Sequence, residues 1–479
     1  MSRGNAKLEV GQLVLTSSTP PGNLGLYAYD QDTIGVVGDL VCIDPKSKAE
    51  SSVVTSTVNP VTGGITSVSG GGKSVLQAAA MIAKARSNIE LIGIGSVGTG
   101  ASTSITGRTW QRIVAARSRP LAVRISYQNF SAVEYTVDKT NITPSSTFVL
   151  GDPTGGASPV NVLFSGSAHA VVPVGTAGLP SEIMSDWTYI APIARADSGT
   201  YHLVHIRSYI ANVGATAYPY IGSSQYPGNP ANSVSGLVRA AGFQAGDYIA
   251  TPTGFTDDSG LRLPMNVEFK ELARVIRVAS IGDSITSSYY ATAAVGACDN
   301  NITDQALALI NPSAMSYGTI LSHINCGITS QTIPQVLARL PQILANHSPD
   351  IVVLPVWSPN SAPSTQAGID TNNGLIVDAI NQILASGAVP VLWTSAPHNS
   401  ATSAIDALRV ANNALWRTVA AGCGYFLADF ALVLDGAPIS SVTQYAGSYS
   451  TDGTHPNAAG QAAVAPILAD ALKSAAGLL

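Results

Sequence analysis

The chain has 479 residues, of which 46% are hydrophobic and 11% charged, and it contains 45 glycines. This length exceeds one ordinary core, so we expect two or three domains, and the composition favours a compact globular protein over a disordered one. The formal net charge of −5, with 24 Lys and Arg residues and no basic run, argues against a nucleic-acid partner, which would need clustered cations.

The N-terminus bears on where the protein acts. It begins Met1-Ser2-Arg3 and continues as a polar stretch, without the apolar segment of a secretory signal. No apolar window is long enough to span a bilayer. We therefore expect no Sec signal and no membrane span, and a protein that is cytoplasmic in the producing cell, or virion-associated and released on lysis. The four cysteines lack the C-x-x-C spacing that would hold a metal or form a redox couple, so we expect no metal site and no redox couple at them.

Residues 1–106 are rich in Gly, Ser, Thr and Val, and glycine pairs and triplets interrupt their short apolar runs. Within them, residues 75–86 have the spacing of a short amphipathic helix. We interpret this region as an attachment or oligomerisation segment, so a homo-oligomer or a virion component is among the expected partners.

Residues 107–268 consist of short β-rich runs separated by Gly, Pro, Asn and Asp, without intervening helices. The clearest strands are expected at 121–127, 146–150, 170–174 and 201–207. Such a series predicts an antiparallel sandwich-like or jelly-roll-like domain. We interpret it as a carbohydrate-binding domain.

From residue 269 to residue 479, apolar strand candidates alternate with segments of helical spacing. Strands are expected at 275–281, 319–325, 351–356, 388–394 and 425–428, and a final helix at 457–476. This alternation predicts an α/β domain, in which helices cover both faces of a parallel sheet. Ligands bind at the carboxyl ends of the strands in such sheets, so residues that follow the first strand are expected at the binding rim.

Two short motifs in this domain carry the chemistry of a serine hydrolase. Ser284 follows the first strand candidate, and Asp452 precedes His455 by three residues. A serine hydroxyl becomes nucleophilic when an imidazole takes its proton, and the imidazole needs a carboxylate to orient it. Read alone, Asp452 is as typical of a helix N-cap. Together the motifs predict that Ser284, His455 and Asp452 form a catalytic triad.

The same motifs resemble those of the GDSL, or SGNH, hydrolase family. Gly282-Asp283-Ser284-Ile285 is similar to its first block, Asn325-Cys326-Gly327-Ile328-Thr329 to its second, and Asp452-x-x-His455 to its last. The resemblance implies a flavodoxin-like three-layer domain and a serine ester hydrolase that works through a covalent acyl-enzyme, without a cofactor. It also implies that the backbone amides of Ser284 and Gly327 bind the oxyanion.

The third block departs from the family pattern, which shows Gly-x-Asn-Asp after the third strand. Here Trp357 stands in the place of the glycine, and Asn360 comes one residue late. We expect the Asn360 side chain to complete the oxyanion hole, the alternative being a surface turn, where Asn is common. Asp283, Trp357 and His398 are expected to line the substrate pocket, although buried aromatics more often belong to a core.

The family resemblance implies the reaction more closely than the substrate, because its members act on acetylated sugars, lipids, thioesters and other esters. Residues 186–197 are similar to a segment found before SGNH domains in bacteriophage and prophage proteins. We therefore predict a serine esterase that removes acyl groups, chiefly O-acetyl groups, from bacterial surface carbohydrate. Two alternatives stay open: a cytoplasmic short-chain or lipid esterase, and a non-catalytic, carbohydrate-binding tail protein.

Overall fold

The computed structural model describes side chains from residue 106 to residue 478 and, at some other positions, only the backbone of short strands. Side chains are not described at residues 117–118, 148–149, 152–157, 177–178, 192, 194–201, 212–241, 256–262, 264, 272, 288–300, 313 and 315–318. In the attachment region predicted at 1–106, side chains are described only at residue 106, and the helix predicted at 75–86 lies outside the described residues.

Short strands precede residue 106 in the described backbone. They are numbered β1 to β9: Lys7–Glu9, Gln12–Val14, Gly25–Tyr27, Val41–Ile43, Glu50–Ser52, Thr55–Val58, Ile65–Ser69, Ser87–Gly93 and Gly100–Ser102.

Antiparallel strands follow, as the sequence predicts for residues 107–268. They are numbered β10 to β22: Arg108–Ala116, Pro120–Asn129, Tyr135–Val137, Lys139–Ser145, Val160–Asn161, Ala170–Val172, Ser181–Met184, Thr188–Tyr189, His202–Ile210, Tyr218–Gly222, Arg239–Ala245, Thr256–Asp257 and Leu261–Arg262. Six of them form one sheet in the order β14-β13-β18-β10-β20-β21. Its apolar face shares a core with strand β11 of a second sheet, so that Ile113 and Val204 belong to the same cluster as Val123 and Tyr127.

The described residues of the strand expected at 146–150 are not in a strand: β13 ends at Ser145, residue 146 is a bend and residue 150 a turn. The Ser145 hydroxyl accepts a hydrogen bond from the Thr147 amide at 3.1 Å. Such a local side-chain bond offers the backbone an alternative to the sheet ladder and ends the strand.

One long strand, β23 at Met265–Gly282, belongs to both halves of the chain. Its first part pairs antiparallel with β11, and its last part, from Arg274 to Gly282, pairs parallel with β24 at Thr319–Gly327. The predicted boundary between the β-rich domain at 107–268 and the α/β domain at 269–479 therefore lies inside this continuous strand.

The C-terminal part is a parallel sheet between helices, which confirms the predicted α/β fold. After β23 and β24 come β25 at Ile351–Pro355, β26 at Val389–Trp393 and β27 at Phe426–Ala428, and a hairpin follows, with β28 at Asp435–Ile439 and β29 at Val442–Tyr445. The helices are numbered α1 to α8: Ser284–Ser287, Ile302–Met315, Ile333–Ala338, Leu340–His347, Gln366–Ala385, Ser403–Cys423, Ala431–Leu434 and Ala458–Ala476. The expected final helix differs by one residue, because Asn457 is its N-cap.

Alternation along the strands divides this part into three layers. Ile276 and Val278 face a core that includes residues of α2 and α8, whereas Ala279 and Ile281 face a core made with α3 to α6. Successive side chains of a strand point to opposite faces, so each strand serves both cores. The apolar strands are buried on both sides for this reason.

The five parallel strands are arranged in the order β24-β23-β25-β26-β27. In order of appearance this is 2-1-3-4-5, the flavodoxin-like arrangement, whose direction reverses between the first and third strands. A crevice opens there at the carboxyl ends. Ser284 follows the first strand and Asn360 the third, so both belong to the edges of this crevice.

Candidate active site

The candidate nucleophile lies on a tight turn between strand and helix. Strand β23 ends at Gly282, and Ser284 is the first residue of α1. A Cβ added to Gly282 would lie 1.9 Å from Thr286 Oγ1, so only glycine fits beneath this helix. The Asp283 carboxylate accepts a hydrogen bond from the Ile285 amide at 2.9 Å and holds the turn. Ser284 retains an exposed fraction of 6%.

His455 and Asp452 come together with Ser284. His455 Nε2 lies 2.8 Å from Ser284 Oγ, and His455 Nδ1 lies 2.7 Å from Asp452 Oδ2. The alternative role of Asp452 as a helix cap does not hold, because Asn457 caps α8 and accepts the Gly460 amide at 3.1 Å. The arrangement is that of a serine, a base and an acid that orients the base.

The Asp452 carboxylate is fixed by its own turn. Its Oδ1 accepts hydrogen bonds from the Thr454 amide at 2.9 Å and the His455 amide at 2.8 Å. Burial alone would raise the pKa of Asp452, but these bonds and the His455 ring lower it to about 2. The group is therefore an anion at neutral pH, as a partner for an imidazolium should be.

Two of the predicted oxyanion donors are backbone amides. Ser284 is the first residue of its helix, so its N–H has no partner within that helix. The Gly327 amide instead donates to Asn325 Oδ1 at 2.9 Å. A Cβ on Gly327 would lie 2.6 Å from the Ser287 nitrogen, so this glycine also lets strand β24 pack against α1.

The third predicted donor, Asn360, lies on a short 3₁₀ turn at Pro359–Ser361. Its Nδ2 donates to the carbonyl of Gln331 at 3.2 Å and to Ser358 Oγ at 3.3 Å. Both bonds are long, and an apo site commonly tightens only when the reacting group is bound. Asn360 is thus held beside the loop that follows strand β24.

Asp283 is completely buried next to the nucleophile. Its Oδ2 lies 2.5 Å from Ser358 Oγ, which links the first motif to the third. Burial raises the pKa of Asp283, although the bonds from Ser358 and Ile285 oppose this shift. With no exposed surface, Asp283 shapes the turn and does not meet a substrate in this conformation.

Trp357 and His398 are also buried, with exposed fractions of 2% and 4%. His398 Nδ1 contacts Ser400 Oγ at 3.0 Å, and burial lowers the pKa of its ring. Both side chains follow sheet strands, Trp357 after β25 and His398 after β26. A substrate could reach them only if the rim rearranged.

The sequence motifs do not indicate two residues that hold the Asp452 turn. Asn399 Nδ2 donates to the carbonyl of Asp452, and Asn399 Oδ1 accepts from Thr454 Oγ1 at 3.0 Å. Tyr445 donates its hydroxyl proton to the Thr454 carbonyl at 2.7 Å. The only signal in the sequence is that Asn399 follows a strand of the rim, which is too weak to single it out.

A second hydrogen-bonded series of a serine, a histidine and an aspartate is present inside the domain. Ser280 Oγ lies 2.6 Å from His323 Nε2, and His323 Nδ1 lies 3.0 Å from Asp304 Oδ1. All three are buried, with exposed fractions of 1%, 3% and 2% for Ser280, His323 and Asp304. This chain ties β23, β24 and α2 together in the interior, whereas the chain at Ser284 lies at the rim.

Comparison with known protein families decides the class of this domain. Residues 280–463 match the GDSL-like lipase/acylhydrolase family. This segment is a GDSL-like acylhydrolase domain. The match covers the serine turn, the parallel strands β24 to β27 that follow it, and the turn with Asp452 and His455, so the predicted family and ester-hydrolase class are confirmed. No curated protein matches the chain.

Solved structures similar to the GDSL-like domain include several hydrolases. A GDSL-like lipase from Bacteroides thetaiotaomicron is 18% identical and aligns over 42% of this chain and 88% of its own, with a TM-score of 0.29. An acetyl xylan esterase from Geobacillus stearothermophilus is 17% identical over 42% of this chain and 94% of its own, with a TM-score of 0.32. The structure named TesA is 22% identical over 42% and 99%, with a TM-score of 0.32.

Two further observations concern ligands and membranes. Within the part of the chain that the structure describes, no group of three or more His, Cys, Asp or Glu side chains is placed to hold a metal ion. Among the described helices, none is long and apolar enough to cross a membrane.

Proposed function

We propose that the GDSL-like domain is a serine esterase in which Ser284, His455 and Asp452 form the catalytic triad. The observation that carries the proposal is the continuous hydrogen-bonded chain from Ser284 Oγ through the His455 ring to Asp452, with bonds of 2.8 and 2.7 Å. Its serine lies on the turn after the first parallel strand, at the rim where ligands of such sheets bind.

In the proposed reaction, Ser284 Oγ attacks an ester carbonyl while His455 Nε2 takes its proton. His455 then returns this proton to the leaving alcohol, and a water molecule, activated by the same ring, hydrolyses the acyl-enzyme. Asp452 holds Nδ1–H of the ring, which fixes the tautomer and stabilises the imidazolium.

The oxyanion donors in this proposal are the Ser284 amide and the Asn360 side chain. The Gly327 amide joins them only if it exchanges Asn325 Oδ1 for the oxyanion, because its single hydrogen is already bonded. Donors of this kind are each worth about 100- to 1000-fold in rate.

We further propose O-acetyl groups on bacterial surface carbohydrate as the substrate. In support, a β-rich region precedes the catalytic domain and shares strand β23 with it. A glycan bound to the β-rich region would therefore be held on the same protein molecule as the catalytic domain. Tyr189 exposes 68% of its surface on this region and offers an aromatic ring to a ligand.

Hydrolysis of p-nitrophenyl acetate by two serine variants tests the reaction. Ser284→Ala removes the proposed nucleophile and should reduce kcat by at least about 1000-fold. Ser280→Ala is the matched control, because it removes a serine from the buried chain and should leave kcat within about threefold. Equal activity of Ser284→Ala and the wild type would contradict the triad.

The chain length of the acyl group tests the substrate class. A deacetylase should prefer p-nitrophenyl acetate to the octanoate, and it should release acetate from acetylated bacterial polysaccharide. A preference for octanoate would favour a lipid esterase, and glycan binding without any hydrolysis would favour a non-catalytic tail protein.

A further inference from the structure

The turn that carries the proposed acid and base is not held by its own residues alone. Asn399 reaches it from 53 residues earlier in the chain, and its side-chain amide donates to the Asp452 carbonyl. The amide oxygen of the same side chain accepts from Thr454 Oγ1 at 3.0 Å. Asn399 thus bonds to the residues on both sides of Gly453.

Gly453 fits directly against Asn399. Its φ is +73°, a conformation that favours glycine, and an added Cβ would lie only 2.7 Å from Asn399 Cβ. The two hydrogen bonds and this close packing together hold the turn against Asn399. Because His455 directly follows Thr454, the position of this turn determines the position of His455.

Asn399 is itself on a well-anchored loop after β26. The carbonyl of Ser395 accepts hydrogen bonds from Arg409 and Asn413, each at 2.9 Å. Arg409 and Asn413 belong to helix α6 and are buried. His398, the neighbour of Asn399, is buried as well, with an exposed fraction of 4%. The loop therefore links helix α6 to the turn that contains Asp452.

Asn399 is exposed, and it contacts the turn from outside the hydrogen-bonded chain. Its atoms bond to a carbonyl and a hydroxyl of the turn, and these bonds do not involve Ser284 Oγ or the His455 ring. It can therefore act on the reaction only through the placement of the turn, or by direct contact with a substrate at the rim.

We infer that Asn399 is a positioning residue, whose two-sided bond to the Asp452–Thr454 turn holds His455 in line with Ser284. This role rests on the proposed function, since it needs His455 to be the base. Misplacement of a catalytic group by about 1 Å costs on the order of 100-fold in rate. We call the two hydrogen bonds from Asn399 to this turn the clamp. Loss of the clamp should lower kcat and leave substrate binding unchanged.

Three variants test this role with p-nitrophenyl acetate. Asn399→Ala should lower kcat by about 10- to 100-fold with KM within about twofold. Asn399→Asp keeps the shape but places an acceptor against the Asp452 carbonyl, so kcat should fall at least as far. Gln444→Ala is the matched control, because Gln444 Nε2 also donates to a backbone carbonyl, that of Val442, and this bond does not involve the Asp452–Thr454 turn; its kcat should stay unchanged.

A double-mutant cycle separates the clamp from a general loss of stability. Thr454→Val removes the hydroxyl that donates to Asn399 Oδ1. This change should therefore lower kcat in the wild type and lower it no further in Asn399→Ala. Additive effects, or a raised KM with unchanged kcat, would overturn the positioning role and indicate contact with the substrate or a separate contribution.

A readout independent of turnover distinguishes failure of this inference from failure of the proposed function. The proton of His455 Nδ1, bonded to Asp452 at 2.7 Å, should give a far-downfield NMR signal that Asp452→Asn removes. In Asn399→Ala this signal should shift or broaden, whether or not the protein hydrolyses esters. An unchanged signal in Asn399→Ala would overturn the inference, even if Ser284→Ala shows that the triad is correct.

Discussion

At the scale of residues, the site depends on bonds that differ in how far they reach along the chain. The Asp452 and His455 pair is local, since three residues of a turn bring the carboxylate to the ring and to two backbone amides. Such a pattern can be read from spacing. Its contact with Ser284 spans 171 residues and depends on the whole sheet.

Replacement of the acid tests the local pair. Asp452→Asn keeps the size of the side chain but favours the wrong tautomer of His455, so kcat should fall by about 10,000-fold. The pKa of Asp452 is lowered to about 2, so the group stays ionised at pH values well above this one. Loss of wild-type activity between pH 6 and pH 4 should therefore not come from Asp452, and a pH-rate profile checks this.

Asn360 is the residue whose role is least fixed by the motif, because its block departs from the family pattern. Asn360→Ala should lower kcat by about 100- to 1000-fold if its side chain donates to the oxyanion. Asn360→Asp, which keeps the shape but loses the donor, should be equally impaired. Rates within threefold of the wild type for both variants would assign Asn360 to the turn at Pro359–Ser361 alone.

The residue types near the site could be predicted from the sequence, but their bonding could not. Gly327 matches the family block, yet its amide is bonded to Asn325, and nothing in the spacing shows that competition. Asn399 belongs to no motif, because its contact with Asp452 exists only where two loops of the rim meet. Trp357 and His398 follow strands as expected, and only the packed structure shows that they are buried.

At the scale of elements, the turn from β23 into α1 sets the serine. Its predicted strand began at residue 275, whereas β23 starts at Met265. The additional residues pair antiparallel with β11, a partner that lies more than 130 residues earlier and leaves no local signal. Apolar runs identify the buried parallel strands, because these strands face a core on both sides.

Gly282→Ala tests whether this turn needs a glycine. The new Cβ would meet Thr286 Oγ1 at 1.9 Å, so α1 should move and hydrolysis should fall by at least about 100-fold. The double variant Gly282→Ala, Thr286→Ala should recover part of this loss. As a control, Gly166→Ala meets no atom within 4 Å; its φ of +80° strains an alanine and lowers stability, but hydrolysis by the folded variant should be unchanged. A fully active Gly282→Ala protein would contradict the assigned packing.

At the scale of the whole molecule, the antiparallel and parallel parts are joined by more than strand β23. Ile328, which follows the Gly327 loop, belongs to the core of the antiparallel part. His347, at the end of α4, lies 3.3 Å from carboxylate oxygens of both Glu182 and Glu268. The side chains of all three residues are buried, so the junction contains a buried cluster of charges.

This cluster makes stability depend on pH in both directions. Burial alone would raise the pKa of Glu182, but His347 lowers it to about 2; burial alone would lower the pKa of His347, but Glu182 and Glu268 raise it to about 10. The Glu182 contribution is complete above its ordinary pKa and is lost as the pH falls towards 2. The His347 contribution is complete below its ordinary pKa and is lost as the pH rises through 10.

The free energy of unfolding should therefore be highest near pH 5 to 6 and fall on both sides, and chemical denaturation at pH 3, pH 5.5 and pH 10 measures it. His347→Gln should reduce the fall between pH 5.5 and pH 10. The same fall in His347→Gln and the wild type would place the alkaline loss elsewhere.

The fold of the GDSL-like domain was accessible from sequence because alternation of strands and helices is a periodic signal. The junction was not, since Glu182, Glu268 and His347 stand far apart in the chain and no spacing relates them. The resemblance of residues 186–197 to bacteriophage proteins and the carbohydrate substrate stay predictions.

The most direct test of the central claim, that Ser284 is the nucleophile, is covalent labelling of the native protein with a fluorophosphonate, followed by peptide mass mapping. A single adduct is expected on the peptide that contains Ser284, and it should be absent from His455→Ala. Because Ser280 lies close in sequence, fragmentation must separate the two serines. An adduct on Ser280 or another serine, or ester hydrolysis without labelling of Ser284, would contradict the proposed triad.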